Sequence, residues 1–273
     1  MTLPKNVKLR LLMLFIQNAS VNAVFPFMAL LLTHYLGGKK AGLMLIVGIL
    51  LKFSGSIIGG YLSDHLPLKK HVIACLTAMS ALLFLGMGAV LAQLEGAQSF
   101  QLLFLVFLAC YLLNELFTAL AKPMYNALAL DSIDETNRQP YARFKYWISN
   151  TSTALGMLIG GLFYSSFKVC LFILIFICLT LNVLILYFGV QEARRTISHP
   201  SARRFVAMFQ RYQVAYRNRP FVLLLISSML ILSAEMSLSS YVAVRLEHQF
   251  KTFQLFGFPI DGVRMFSILL LIN

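Results

Sequence analysis

Charge is what this chain has least of. Of its 273 residues 12% are charged and 59% hydrophobic, and acids are the scarcest, 10 Asp and Glu beside 23 Lys and Arg. A soluble globular domain carries about a quarter charged residues, so that class is excluded. Cysteine is sparse too: Cys75, Cys110, Cys170 and Cys178 all fall in apolar stretches without paired ligand spacing. That pattern indicates neither a disulfide framework nor a zinc site, and no metal or other cofactor is expected. No nucleophile–base pair and no phosphate-cradling loop is present, so the chain does not read as an enzyme. The formal charge of +13 does not point to nucleic acid either, because no basic patch interleaved with stacking aromatics lies on a soluble segment.

What the chain has is long apolar runs. A helix crosses a bilayer with about 20 mostly apolar residues, and such spans are expected at 11–34, 41–63, 71–93, 100–128, 146–166, 169–190 and 221–244. An eighth begins near Val263 and stops at Asn273, too short to cross, so the chain reads as truncated within its eighth helix. The opening MTLPKNVKLR leads into a run too long for a signal-peptide core, with no small-residue cleavage site after it. Basic residues crowd alternate connections. Lys5, Lys8, Arg10, Lys69, Lys70, Arg138, Arg143, Lys145 and seven arginines from Arg194 to Arg219 fall on one side, and Lys39, Lys40, Lys168, Arg245, Lys251 and Arg264 on the other. The positive-inside rule then places the N-terminus in the cytoplasm and makes the lipid bilayer the first partner.

This divides the chain into a six-helix bundle over 1–190, a basic linker over 191–220, and the start of a second bundle over 221–273. Within the linker Phe205, Met208, Phe209, Tyr212 and Tyr216 recur at helical spacing, as expected of an amphipathic helix on the inner membrane surface, ended by Pro220.

The few polar groups inside the spans are the informative ones. Glu115 and Glu235 each sit in an otherwise uncharged run, where a charge costs at least about 2.5 kcal/mol and tends to mark an ion or substrate path. The alternative is a carboxyl kept protonated or paired for packing alone. Tyr111, Glu115, Thr118, Lys122 and Asn126 follow at offsets of four, three, four and four, a stripe along one helix face. Ser228, Glu235 and Ser239 repeat the idea in the seventh span; Asn18 and Asn22 lie one turn apart in the first, ahead of Pro26, which predicts a kink. Lys52 lies at a depth comparable with Glu115. A Lys52–Glu115 pair is one expectation; an ammonium reaching the interface, or one meeting Glu235, are the others. Ser149, Thr153, Gly156 and Gly160 form a small-residue face suited to close helix packing.

Three stretches resemble the major facilitator superfamily. GGYLSDHLPLKK, from Gly59 to Lys70, is similar to its loop of glycine, aspartate and basic residues, matched at Gly60, Asp64, Lys69 and Lys70, with Pro67, His65 and Leu68 departing from it. KPMYNALALDSIDETNR resembles its Pro–Asp–Arg run, matched at Pro123, Asp131 and Arg138. GMLIGG, with Gly156, Gly160 and Gly161, resembles its antiporter signature, with Met157 in place of proline. AVFPFMALLLTHYLG, the Tyr146–Trp147 pair after NALALDSIDETNR, and FKTFQLFGFPIDGVRM narrow the resemblance to the drug–proton antiporters of the lactococcal type, over essentially the whole chain.

The resemblance implies an all-α polytopic membrane protein: an N-terminal six-helix bundle, helix seven and part of helix eight. It implies a proton-coupled transporter of the cell membrane that exports drugs or other small amphiphiles by alternating access, with protons and a small molecule as partners. Glu115, Glu235, Lys52, Asn18, Asn22, Tyr111 and Ser239 are the proton and substrate candidates. Gly60, Asp64, Lys69, Lys70, Asp131 and Arg138 form the expected conformational-switch loop, with Asp131 near Lys69, Lys70 and Arg138, and Gly156, Gly160 and Gly161 serve packing. Two acidic positions of these antiporters carry other residues here, Lys145 and Ser239, and Glu235 lies one turn from the second. The altered helix-five signature leaves proton-coupled nutrient import open, and the chain's end leaves open a non-transporting remnant.

Overall fold

In a bilayer no water is available to backbone N–H and C=O groups, so apolar spans of this length satisfy them internally, as helices. The computed structural model describes residues 4–94, 100–131, 133–192, 217–255 and 258–272, and over these the chain is an all-α polytopic membrane fold. Helix α1 runs Lys5–Val24, a single 3-10 turn covers Phe25–Phe27, and α2 continues over Met28–Leu36. The turn lies where Pro26 removes a backbone donor. One carbonyl of the break, that of Phe27, accepts a hydrogen bond from the Tyr164 hydroxyl at 3.3 Å. Gly37, with φ +76°, then turns the chain tightly into α3 (Gly38–His65) in a conformation that side chains resist.

Helices α4 (Lys69–Leu94) and α5 (Phe100–Leu130) follow. Helix α6 is assigned continuously over Glu135–Leu184 with one non-helical residue, Phe167, at φ −136° and ψ 44°. Its contacts show two antiparallel limbs. Ser149 meets Asn18 and Tyr164 meets Phe27, moving along α1 in one direction; beyond Phe167, Asn182 meets Met13 and Gly189 faces Leu9, moving back. The two expected spans over 146–166 and 169–190 are therefore joined at Phe167 with almost no connecting loop.

Among the described residues five stretches are long and apolar enough to cross a membrane: Lys5–Leu36, Gly38–His65, Lys69–Leu94, Gln101–Leu130 and Ser166–Gly189. The remaining expected spans, 146–166 and 221–244, lie within the first limb of α6 and within α7 (Arg219–Gln249). Past α7, strands β1 (Phe253–Leu255) and β2 (Phe258–Ile260) pair antiparallel, with Gln254 opposite Pro259, and α8 covers Gly262–Ile272. The linker's amphipathic stretch, 205–216, lies outside the described residues.

The core gathers large side chains between α2, α4, α5 and α6. Phe27 stacks on Tyr164 at 5.0 Å, and Phe107 meets Phe172 edge-on at 6.1 Å. Around it α1 packs along α6, and α5 packs against both α3 and α4. Many apolar side chains of α3 face outward, including Ile49, Leu50 and Phe53, which suits a surface that meets lipid or another helix layer.

Candidate functional site

Two glycine seams position the polar groups. On the first, Gly156 and Gly160 of α6 lie against the backbone carbonyls of Ala19 and Ala23 of α1, where even a methyl group would collide. Close approach of this kind is the use of small residues in membrane helices, where burying apolar surface adds little. Asn18 donates to Ser149 Oγ at 3.2 Å; Asn22 donates to Thr153 Oγ1 at 3.3 Å and to the Asn18 carbonyl at 2.8 Å. Asn18 and Asn22 thus form neutral hydrogen bonds across the seam. Gly161 faces α8 instead, with Ser267 filling the space its side chain would take.

The second seam joins α3 to α5. Gly55 and Gly59 bring α3 onto the backbone of Leu116 and Leu120, and Gly48 makes room for Tyr111 and the Glu115 side chain. Glu115 is 1% exposed, and the Lys52 ammonium of α3 lies 2.6 Å from its Oε2. Among the described residues Glu115 Oε1 has no hydrogen-bond donor. The Lys52 side chain is 41% exposed and its ammonium also sits 3.7 Å from the centre of the Phe25 ring, in the turn that breaks α1 from α2. A cation over an aromatic face is stabilised there without a second acid. Of the three placements expected for Lys52, the structure shows the pair with Glu115. The backbone at Glu235 and Ser239 is helical, within α7; their side chains lie outside the described residues.

The polar stripe of α5 serves three surroundings along its length. Tyr111 and Glu115 are buried toward α3. Thr118 borders a cavity of about 10 Å³ with Gln17, Thr77 and Ser80, roughly one water in size. Lys122 is exposed, and Asn126 lines a second, larger cavity at the end of the helix.

At the ends of α4 and α5, Lys69 is 2% exposed and its ammonium donates to Asp131 Oδ2 at 2.7 Å. Lys70 turns away and donates to the Val190 carbonyl at 2.7 Å. Asp64 and Arg138 are exposed, with no ion pair among the described residues, and Gly60 has open space where a side chain would stand. The expected cluster of Lys69, Lys70 and Arg138 about Asp131 is thus narrower than the spacing implied. The α6 backbone places Arg138 on an outward face, and Lys70 finds a carbonyl instead.

Sequence reasoning missed three participants. Glu192 accepts the backbone N–H groups of Lys69 at 3.0 Å and Lys70 at 2.8 Å, a carboxylate seated on the positive end of α4. Its position just before the linker carried no local signal. Gly48, Gly55 and Gly59 recur at offsets of seven and four, a helical-face pattern that was legible in the sequence. Arg10, counted there only as a cytoplasmic charge, is 7% exposed.

The family described as the Major Facilitator Superfamily matches residues 10–273. A relative from Planococcus maritimus, a "Na(+), Li(+), K(+)/H(+) antiporter", is 24% identical over 286 aligned positions, which cover 98% of this chain and 65% of the relative. The chain therefore spans just under two thirds of that protein's length.

Proposed function

The chain belongs to the Major Facilitator Superfamily, and from that premise we propose that it is part of a proton-coupled antiporter that exports cationic amphiphiles from the cell, with Glu115 as the exchanging carboxylate. The observation that carries this reading is the Glu115–Lys52 pair. Glu115 is a fully buried acid in an apolar span, and its partner is a part-exposed ammonium also held by Phe25. An exchanger needs proton and substrate to exclude one another at one group. A proton on Glu115 cancels the charge that attracts Lys52, and a substrate cation at Glu115 displaces the same ammonium. Each occupant favours a different arrangement of α3 against α5, which is the differential affinity that alternating access requires.

The rest of the reading follows from the same premise. Residues 1–190 act as one bundle, 191–220 as a cytoplasmic linker and 221–273 as the start of the second bundle. The N-terminus faces the cytoplasm of a cell membrane. Glu235 and Ser239 are the further proton and substrate candidates in the start of the second bundle, and the Lys69–Asp131 pair with Asp64 holds one state closed at the helix ends.

The test is proton release in everted membrane vesicles with a preformed pH gradient. A cationic amphiphilic dye should dissipate the gradient, and Glu115→Gln should abolish the response while the protein remains in the membrane. Exchange at the original rate in Glu115→Gln would remove Glu115 from the mechanism. A second reading takes inorganic monovalent cations as substrate, favoured by the similarity to the Na(+), Li(+), K(+)/H(+) antiporter of Planococcus. Dissipation by Na+ or K+ and not by the dye would select it. Proton-driven uptake of substrate would mark an importer, and no coupled movement of any of these would mark a non-transporting chain.

A further inference from the structure

A second cation buried in this fold forms no ion pair among the described residues. Arg10 in the first half of α1 is 7% exposed, and its Nη1 donates to the Tyr125 carbonyl at 3.3 Å. Its Nε and Nη2 have no hydrogen-bond partner among the described residues. Those two nitrogens form one edge of the guanidinium, the fork that takes two oxygens of a planar or tetrahedral oxyanion at once. Arg10 borders a cavity of about 50 Å³ shared with Gln17, Tyr125, Asn126, Tyr141 and Lys145, room for a few water-sized groups. Lys145 lines the same cavity, and its ammonium reaches Asn126 Oδ1 at 3.4 Å.

The carboxylates that act on Arg10 through space, Glu192 and Asp131, are held elsewhere. Glu192 accepts the N–H groups of Lys69 and Lys70, and Asp131 accepts the Lys69 ammonium. Burying a guanidinium with two idle donors is costly, and placing an ammonium beside the same cavity adds repulsion. Water would satisfy the donors but would add no negative charge beyond what Glu192 and Asp131 supply through space.

We propose that the cavity between Arg10 and Lys145 binds a phosphate-type oxyanion, bridged by the Nε/Nη2 edge of Arg10 and the Lys145 ammonium. The source is either free phosphate or the headgroup phosphate of an anionic lipid. The site is separate from the Glu115–Lys52 pair and stands whether or not that pair exchanges protons.

The chain's single tryptophan, Trp147, lies two residues beyond Lys145 and is exposed, so its emission serves as one signal and the unfolding temperature as the second. The experiment titrates inorganic phosphate at constant ionic strength, with chloride as the balancing ion, onto the protein in phosphatidylcholine nanodiscs. A parallel set of nanodiscs contains phosphatidic acid. Trp147 emission and the unfolding temperature are followed in both. A saturable phosphate response in phosphatidylcholine identifies free phosphate; a shift with phosphatidic acid alone identifies the lipid headgroup.

In Lys145→Asp a carboxylate fills the place of the anion. The response should weaken by about tenfold or more, as expected for loss of a charge-assisted bond. The ligand-free unfolding temperature should rise at the same time, an outcome that a variant merely damaging the fold would not give. Arg10→Gln should abolish the response if it folds. Absence of a response in both nanodiscs, or an undiminished one in Lys145→Asp, would overturn the site and leave the cavity to water.

Discussion

Two seams built by the same device, glycines on one helix against the backbone of another, hold very different contents. Between α1 and α6 the polar contacts are neutral, Asn18 to Ser149 and Asn22 to Thr153. Between α3 and α5 the polar contact is the Lys52–Glu115 ion pair, with one end open to the surface. Neutral amides and hydroxyls hold the same bonds at any physiological pH and in any salt. An ion pair does not, because a proton or a competing cation at the carboxylate removes the attraction. The difference teaches which contact can serve as a switch: the α1–α6 seam is suited to a fixed frame, the α3–α5 seam to a state-dependent joint.

The comparison breaks most severely at Gly160. A methyl group there meets the Ala23 backbone carbonyl, which cannot rotate away, so Gly160→Ala should force α1 from α6 at a cost of about 3 kcal/mol or more. Little folded protein should be recovered on size-exclusion chromatography. Normal yield and unfolding temperature would show that the two helices do not pack this closely.

Glu115→Gln tests the other seam. It keeps the shape of the side chain and removes its charge, leaving the Lys52 ammonium without its acid, so it should lower stability by about 1–3 kcal/mol. Thermal unfolding of the parent and the variant side by side checks this, and an unchanged unfolding temperature would contradict it.

Gly48→Ala sharpens the contrast within the α3–α5 seam. A methyl at Gly48 would stand 3.2 Å from the Tyr111 hydroxyl, the far end of a side chain that can yield, so the cost should stay near 1 kcal/mol. Thermal unfolding of Gly48→Ala and Gly160→Ala side by side should rank them in that order.

The smallest effect belongs to the neutral bonds. A double-mutant cycle of Asn22→Ala with Thr153→Ala should give a coupling of about 0.6 kcal/mol, typical for hydrogen bonds between membrane helices. A coupling several times larger would make these bonds, and not the glycine contacts, the main attachment of α1 to α6.

Much of this was legible in the sequence because it rests on local chemistry. Apolar runs predict helices wherever lipid withholds water, Pro26 predicts the break, and the depths of Lys52 and Glu115 make them plausible partners. The Asn18–Asn22 and Gly156–Gly160 spacings each predict a single helix face. Other features depend on which faces meet. Arg10 resembles any other cytoplasmic cation in sequence, yet it is buried beside a cavity that Tyr125 of α5 and Tyr141 of α6 also line. Arg138 and Lys69 both lay within reach of Asp131 by spacing, yet the turn of each helix sends one to solvent and the other to the acid. Glu192 caps α4 from more than a hundred residues away.

By itself the sequence determined that the chain is helical and membrane-embedded, and which few residues carry charge into the apolar region. Those properties follow from transfer free energies and helical period, which each segment expresses alone. Only the tertiary structure decided that Lys52 answers Glu115, that Arg10 forms no ion pair among the described residues, and that the chain reverses at Phe167. Each of these is a relation between helices, set by how their rotations about their axes pack together, and no single segment contains that information.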